Sequence, residues 1–290
     1  MGRVKRLTQV GVAATRLLLS PEQRARVDAL AASGASAASA APDGFDALGM
    51  HPDGVALGLA LTNPAYRSYF RVRSHHAERI PKHGGAILVA NHAGTLPFDA
   101  AMLWADVFQH TDPPRVLRPV ADFFVAQLPL ATSVLSRIGV VNGSRGNVAY
   151  LLERGELLLI FPEGMEAIGK SFRHRYRIRR WTEGHAEMAI RHRVPVVPVA
   201  IIGSEEQWPQ LGRIHGPLPF GIPYVPLTAT PLPLPVRYDI YYGEPIHLAA
   251  LYPPDAARTP AAIDEAARRT RTAIEGLIAE GRRLRRGVFR

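Results

Sequence analysis

The sequence predicts an α/β fold: a mixed, largely parallel sheet flanked by helices, with helical extensions at both ends. Two observations carry this. Short apolar runs of strand length alternate with stretches of helix length, the pattern of strand–helix–strand crossovers. The chain also has 290 residues and no cysteine, so disulfides are excluded. A core must hold it together, and at this length burial takes roughly 75% of the surface that the unfolded chain exposes.

In chain order, residues 3–30 read as one or two helices carrying Lys5, Arg6, Leu17, Leu18 and Leu19. Two placements fit them, flat on a membrane surface or packed on the body. Residues 31–42 are rich in Ala, Ser and Gly and read as a linker. The body opens at Phe70-Arg71-Val72-Arg73. Strands are expected at 86–90, 138–141, 157–161, 195–202 and 236–242. Helices are expected at 99–108, at 147–154 with Gly155 ending it, and at 184–193. A last helix with a dense arginine face is expected over 261–284. No internal repeat is visible. The division that follows is a helical membrane-associating segment with linker (1–44), a main domain (45–250) and a basic C-terminal helix (251–290).

The net charge of +10 is uneven. Residues 1–26, 168–193 and 268–290 carry +5, +6 and +6, which leaves −7 for the rest. Basic segments on a mildly acidic body point to anionic partners such as phosphates or a membrane surface. No nucleic-acid module is recognisable, and Tyr176 and Trp181 do not make a stacking platform. No spanning helix is expected, because the apolar stretch Val10 to Leu19 is short and broken by Arg16. It lacks a small-residue cleavage site, so no signal peptide is expected either. The longest uncharged stretch, 217–236, contains seven prolines and will not form a helix.

Four motifs follow one another. Asn91-His92 leads by way of Gly94-Thr95-Leu96-Pro97 to Asp99, at the join of an apolar strand and a helix. Strand ends and helix starts are where α/β proteins keep their chemistry. A neutral imidazole can take a proton from a hydroxyl, and a carboxylate can fix its tautomer. Gly139-Val140-Val141-Asn142-Gly143-Ser144-Arg145, Phe161-Pro162-Glu163-Gly164 and Val194-Pro195-Val196-Val197-Pro198-Val199 complete the set. Taken together they resemble the glycerolipid acyltransferase superfamily, of the lysophosphatidate acyltransferase type, over residues 71 to about 247.

The resemblance implies an O-acyltransferase that moves a fatty acyl group from acyl-CoA or acyl carrier protein to a lipid hydroxyl. His92 would be the general base and Asp99 its orienter. Arg145 would bind phosphate, with Glu163, Gly164, Gly143 and Ser144 contributing to the substrate site. Arginine suits that role, since its fork of donors fits phosphate oxygens. No metal or cofactor is implied beyond the acyl donor as co-substrate. The expected partners are an anionic membrane surface, the lipid acceptor and the donor. The expected place is the cytoplasmic face of a membrane, peripherally. One departure stands out: the family usually sets four residues between His and Asp, and here six intervene. Wider spacings resemble the branch near diacylglycerol and phytyl-ester acyltransferases, which brings neutral or unusual alcohols in as acceptors.

Rival readings are weaker. A catalytically idle membrane- or nucleic-acid-binding protein would be indifferent to loss of His92. Gly164 to Ser171 matches the P-loop pattern G-x-x-x-x-G-K-[ST]. Against it, Glu166 would sit among phosphate oxygens and the residues after Ser171 are a poor helix start. Asn142 to Gly146 falls one glycine short of a nucleophile elbow. His185 and His192, seven apart, have no third ligand spaced to join them and read as ordinary helix residues. The run Lys170 to Arg180 reads as a neutraliser of donor or headgroup phosphates, or as a solvated loop.

Overall fold

The structure is a computed structural model that describes residues 15–32, 44–93, 96–121, 131–164, 167, 169–214, 216 and 224–289. Most of the expected linker, Gly94 and Thr95 of the first motif, and Met165, Glu166 and Ile168 of the P-loop-like run lie outside the described residues.

Seven strands form one sheet: β1 (Arg73–His75), β2 (Ala86–Ala90), β3 (Leu117–Ala121), β4 (Val141–Asn142), β5 (Leu157–Ile160), β6 (Val196–Ile202) and β9 (Asp239–Tyr242). Their order is β1-β9-β6-β2-β5-β3-β4, and a separate ribbon pairs β7 (Gln210–Ile214) with β8 (Val225–Thr228). From β6 to β4 all neighbours are parallel, while β9 runs antiparallel to β6 and carries β1 alongside. The expected mixed, largely parallel sheet is therefore present.

Helices cover both faces: α1 (Pro21–Ala32), α2 (Pro52–Pro64), α3 (Phe98–His110), α4 (Ala131–Arg137), α5 (Arg145–Glu153), α6 (Gly184–His192), the short α7 (Leu248–Leu251) and α8 (Pro260–Leu284). The two-residue period of β2 divides its side chains between two cores. Ala86, Leu88 and Ala90 join Val55, Leu59, Leu103 and Phe108 from α2 and α3. Ile87 and Val89 join Leu151, Ile190, Ile274 and Ile278 from α5, α6 and α8. Each of the larger of these side chains, valine, leucine, isoleucine and phenylalanine, contributes about 1.5–3 kcal/mol by burial. In α8, Ala266, Ala267, Thr270, Ile274, Ile278 and Gly281 form the buried stripe, at the three-and-four spacing of an amphipathic helix. Among the described residues no helix is long and apolar enough to cross a membrane.

Proline in a central strand needs an explanation, because it lacks a donor. In β6, Pro198 turns its carbonyl toward β9, accepting the Gly243 N–H at 2.8 Å. The missing N–H falls on that same side, where regular pairing begins only at Val199↔Tyr242. The strand break around Gly243-Glu244-Pro245 absorbs it.

Some elements differ from expectation. The run 138–141 gives only the two-residue β4. Gly139, at φ +100°, and Val140 donate back to Ser136 and Leu135 and close α4. The proline-rich stretch contains β8, which is possible because a two-stranded ribbon has open edges that tolerate Pro226. Asp106, on α3, is a structural hub. It is fully buried and accepts hydroxyls from Tyr66 at 2.5 Å, Tyr242 at 2.6 Å and Ser74 at 2.8 Å. Burial and the Asp106 charge hold both phenols far above their ordinary pKa. Asp106→Asn puts donors where donors already point, and should cost about 3 kcal/mol of stability. Thermal unfolding would show this, and turnover at permissive temperature should stay near wild type. An unchanged melting temperature would contradict it.

Candidate functional site

The site forms at the carboxyl ends of three adjacent parallel strands, β6, β2 and β5, as expected for an α/β sheet. Where β2 stops, Asn91 continues its pairing with a side chain. Its Oδ1 accepts the Ile201 N–H at 2.8 Å and its Nδ2 donates to the Ile201 carbonyl at 3.2 Å. This clip fixes the chain one residue before His92.

His92 Nδ1 lies 2.7 Å from Asp99 Oδ2. The same oxygen accepts the Ala93 N–H at 2.8 Å, and Oδ1 accepts the Ala100 N–H at 2.8 Å. The six-residue separation therefore closes into the expected pair. Asp99 is not the helix cap: Pro97 holds that position and Asp99 is the second residue of α3. A carboxylate is an acceptor, so in the neutral ring the hydrogen sits on Nδ1 and the lone pair on Nε2. The Phe161 ring stacks on the imidazole, centroids 4.2 Å apart. Burial opposes a charge on His92, but the Asp99 charge and hydrogen bond outweigh it, so its pKa is raised above the ordinary value.

Behind this pair lies a buried charged chain of which the sequence shows only one member. Glu163 is in the turn after β5, closed by Gly164 at φ +57°, a backbone angle that favours glycine. Its Oε1 accepts the His92 backbone N–H at 3.3 Å, and its Oε2 meets Lys170 Nζ at 2.9 Å. Lys170 also reaches Glu205 Oε2 at 3.3 Å. Glu205 follows β6, where Gly203 at φ +108° turns the chain. It also accepts the Tyr176 N–H at 2.6 Å. Burial pushes Glu205 up to about 7, against the opposing pull of Lys170, and the Glu163 charge adds to the rise. Two carboxylates thus share one ammonium out of water.

Lys170 is committed to carboxylates, unlike the other cations of the basic run that were expected to neutralise phosphates. Both oxygens of Glu163 have partners inside the protein, one of them the His92 backbone N–H. Lys170 and Glu205 went unseen because a lysine in a basic run and a glutamate in a Glu-Glu pair carry no spacing signal. The P-loop likeness also fails locally, since Ser171 precedes only a three-residue 3₁₀ turn, Phe172–His174.

Gly143, Ser144 and Arg145 stand apart, after β4 at the sheet edge, with β5 and β3 between them and β2. Ser144 caps α5, its hydroxyl accepting the Asn147 N–H at 3.2 Å. Gly143 donates to the Ala121 carbonyl at 3.0 Å. The Arg145 side chain is 80% exposed and pairs with Glu187 at 2.8 Å. On α6, His185 is buried edge-on to Trp181 and His192 lies 3.7 Å from Glu153.

Residues 71–202 match a protein family described as Acyltransferase. The fold resembles the crystal structure of the 1-acyl-sn-glycerophosphate (LPA) acyltransferase PlsC from Thermotoga maritima, with a TM-score of 0.52 and 16% identity over 81% of this chain and 83% of that one. Residues 71–202 thus carry an acyltransferase domain, and this match together with the shared fold supports the glycerolipid acyltransferase superfamily. An uncharacterized Mycobacterium tuberculosis protein is 40% identical over 202 residues, which is 66% of this chain and 56% of that protein. A Bos taurus protein named DGAT1/2-independent enzyme synthesizing storage lipids is 29% identical over 214 residues, 72% of this chain and 60% of its own length. Its Homo sapiens counterpart matches at the same identity over 61% of its length. The acyltransferase chain thus spans somewhat over half the length of the curated relatives it matches.

Proposed function

We propose that this acyltransferase transfers a fatty acyl group from a thioester, acyl-CoA or acyl carrier protein, to a lipid hydroxyl while resting peripherally on the cytoplasmic face of a membrane. The observation that carries the reading is the buried 2.7 Å His92–Asp99 contact at the end of the central strand. Nε2 takes the proton from the acceptor hydroxyl, and its oxygen attacks the thioester carbonyl. The carbon–sulfur bond breaks, and the departing sulfur takes the proton back from the imidazolium. Asp99 stabilises the charged ring between the two transfers. No covalent acyl-enzyme is needed.

The test supplies the purified chain with each donor and a panel of lysophosphatidate, other lyso-lipids, diacylglycerol and long-chain alcohols, and reads the products by mass spectrometry. If no donor–acceptor pair gives an ester, the reading fails. Arg145 sorts the acceptors. Its exposed pair with Glu187 is worth little to stability, so Arg145→Ala should leave the melting temperature unchanged. With a phosphate-bearing acceptor it should raise KM about tenfold at similar kcat. With diacylglycerol or an alcohol it should do nothing. An unaltered KM for a confirmed phosphate-bearing acceptor removes Arg145 from the site.

A further inference from the structure

The β7–β8 ribbon displays apolar side chains that neither core uses. Ile214 lies opposite Val225, and Leu227 is two residues further along the same strand, so the three share one face. Leu211 is the extra residue of the bulge between Gln210 and Gly212. Leu211 is 68% exposed and Ile214 56%, with Val225 and Leu227 also open. Single exposed hydrophobics are ordinary, but a cluster on one short ribbon marks a contact surface. The ribbon's one charged side chain, Arg213, is folded back. Its guanidinium donates to the Gly169 carbonyl at 2.9 and 2.6 Å and lies over the Tyr224 ring at 4.5 Å.

That contact joins the ribbon to the segment 170–180, which holds five arginines, one lysine and no acid. Lys170 is spent inside, but Arg173, Arg177 and Arg179 are exposed. Desolvation and the charges of Arg179, Arg177 and Arg173 depress the pKa of His174, a sign of how closely the cations gather. Ribbon and loop also flank one opening. A depression next to the dyad loop is lined by Ala93, Lys170 and Glu205, by Arg175 from the basic loop, and by Trp208 and Gln210 where the ribbon starts.

We propose that the β7–β8 ribbon and the arginine loop together seat the protein on an anionic bilayer, with the ribbon's apolar face among acyl chains, the guanidinium groups among phosphates, and the depression lined by Ala93 at headgroup level. An apolar face bordered by cations, with no acidic residue in the loop, complements anionic lipid. The proposal rests on the lipid acyl-transfer reading and names the surface that serves it.

The experiment uses the full chain and phosphatidylcholine–phosphatidylglycerol vesicles. Leu211→Ser, Ile214→Ser and Leu227→Ser combined should weaken vesicle binding about tenfold or more without moving the melting temperature. Ile214→Trp should give emission that brominated acyl chains quench. Unchanged vesicle affinity, an unquenched tryptophan, or a wild-type chain that ignores vesicles overturns the proposal, the last leaving the face to a protein partner. A parallel assay with detergent-dispersed acceptor separates the two ideas. The triple variant should keep its turnover there, and only a wild type inactive in detergent as well counts against acyl transfer itself.

Discussion

His92→Ala should lower kcat by about 10²–10⁴-fold or more while leaving the fold intact, because it removes the group that takes the hydroxyl proton. Asp99→Asn should lose about 10³-fold by favouring the wrong ring tautomer and leaving the imidazolium unneutralised. The pH profile adds a separate check. With Asp99 holding the His92 pKa above its ordinary 6.5, kcat/KM should fall on the acid side through a pKa above that value, since only the neutral ring is a base. In Asp99→Asn the pull that outweighs burial is gone and only the weaker Glu163 charge still opposes it, so the acid limb should move to lower pH. Steady-state kinetics of the three proteins across pH, with melting temperatures alongside, decide it. Wild-type turnover in Asp99→Asn would mean that the pair is not the catalytic one.

The second large effect is expected at Lys170. Lys170→Met keeps the volume but strands Glu163 and Glu205 together out of water. Removing one partner of a buried ionic group costs about 3–5 kcal/mol. The cost depends on pH in a definite direction. Without the ammonium, the Glu205 pKa in the folded protein, which burial already pushes up to about 7, rises further above its unfolded value of about 4.3. The folded variant then binds more protons than the unfolded chain, so its stability falls as pH rises. The deficit against wild type should be smaller near pH 5 than near pH 8. Turnover should fall too, because Glu163 would no longer be held against the His92 N–H. Equal deficits at the two pH values would show that the carboxylates are not coupled through Lys170.

What the sequence made legible follows from how locally each feature is encoded. The strands β2, β5 and β6 are continuous apolar runs, and they appear within a residue or two of where the pattern puts them. The dyad was legible because a histidine and an aspartate bracket one strand–helix junction. β3 was not, because Arg118 and Pro119 interrupt it. Arg118 is fully buried, paired with Asp46 at 2.7 Å and bonded to the Gly139 carbonyl at 2.9 Å. Only a partner 72 positions away makes a charged residue acceptable there. The Lys170 cluster was hidden for the same reason, since Glu205 comes from the segment after β6, 35 positions from Lys170, and meets it only after the sheet forms. The role of Asp106 was equally hidden, since Tyr66, Ser74 and Tyr242 come from three distant segments to close around it.

The anchoring of the His92–Asp99 pair also bears on how such a site can change. Asn91 fixes the chain on one side by its clip to Ile201, and the helical start of α3 fixes Asp99 on the other, with the Ala93 N–H tying the two ends together. Leu96 and Pro97, in the span between, carry none of these bonds, so their side chains can change while the pair stays put. Leu96 already projects from this span, half exposed. On the proposed function, substitution of Leu96 is then expected to change which alcohol approaches Nε2 while leaving the His92–Asp99 pair in place. The number of residues between histidine and aspartate then says little about whether the two groups meet: with six between them they still lie 2.7 Å apart.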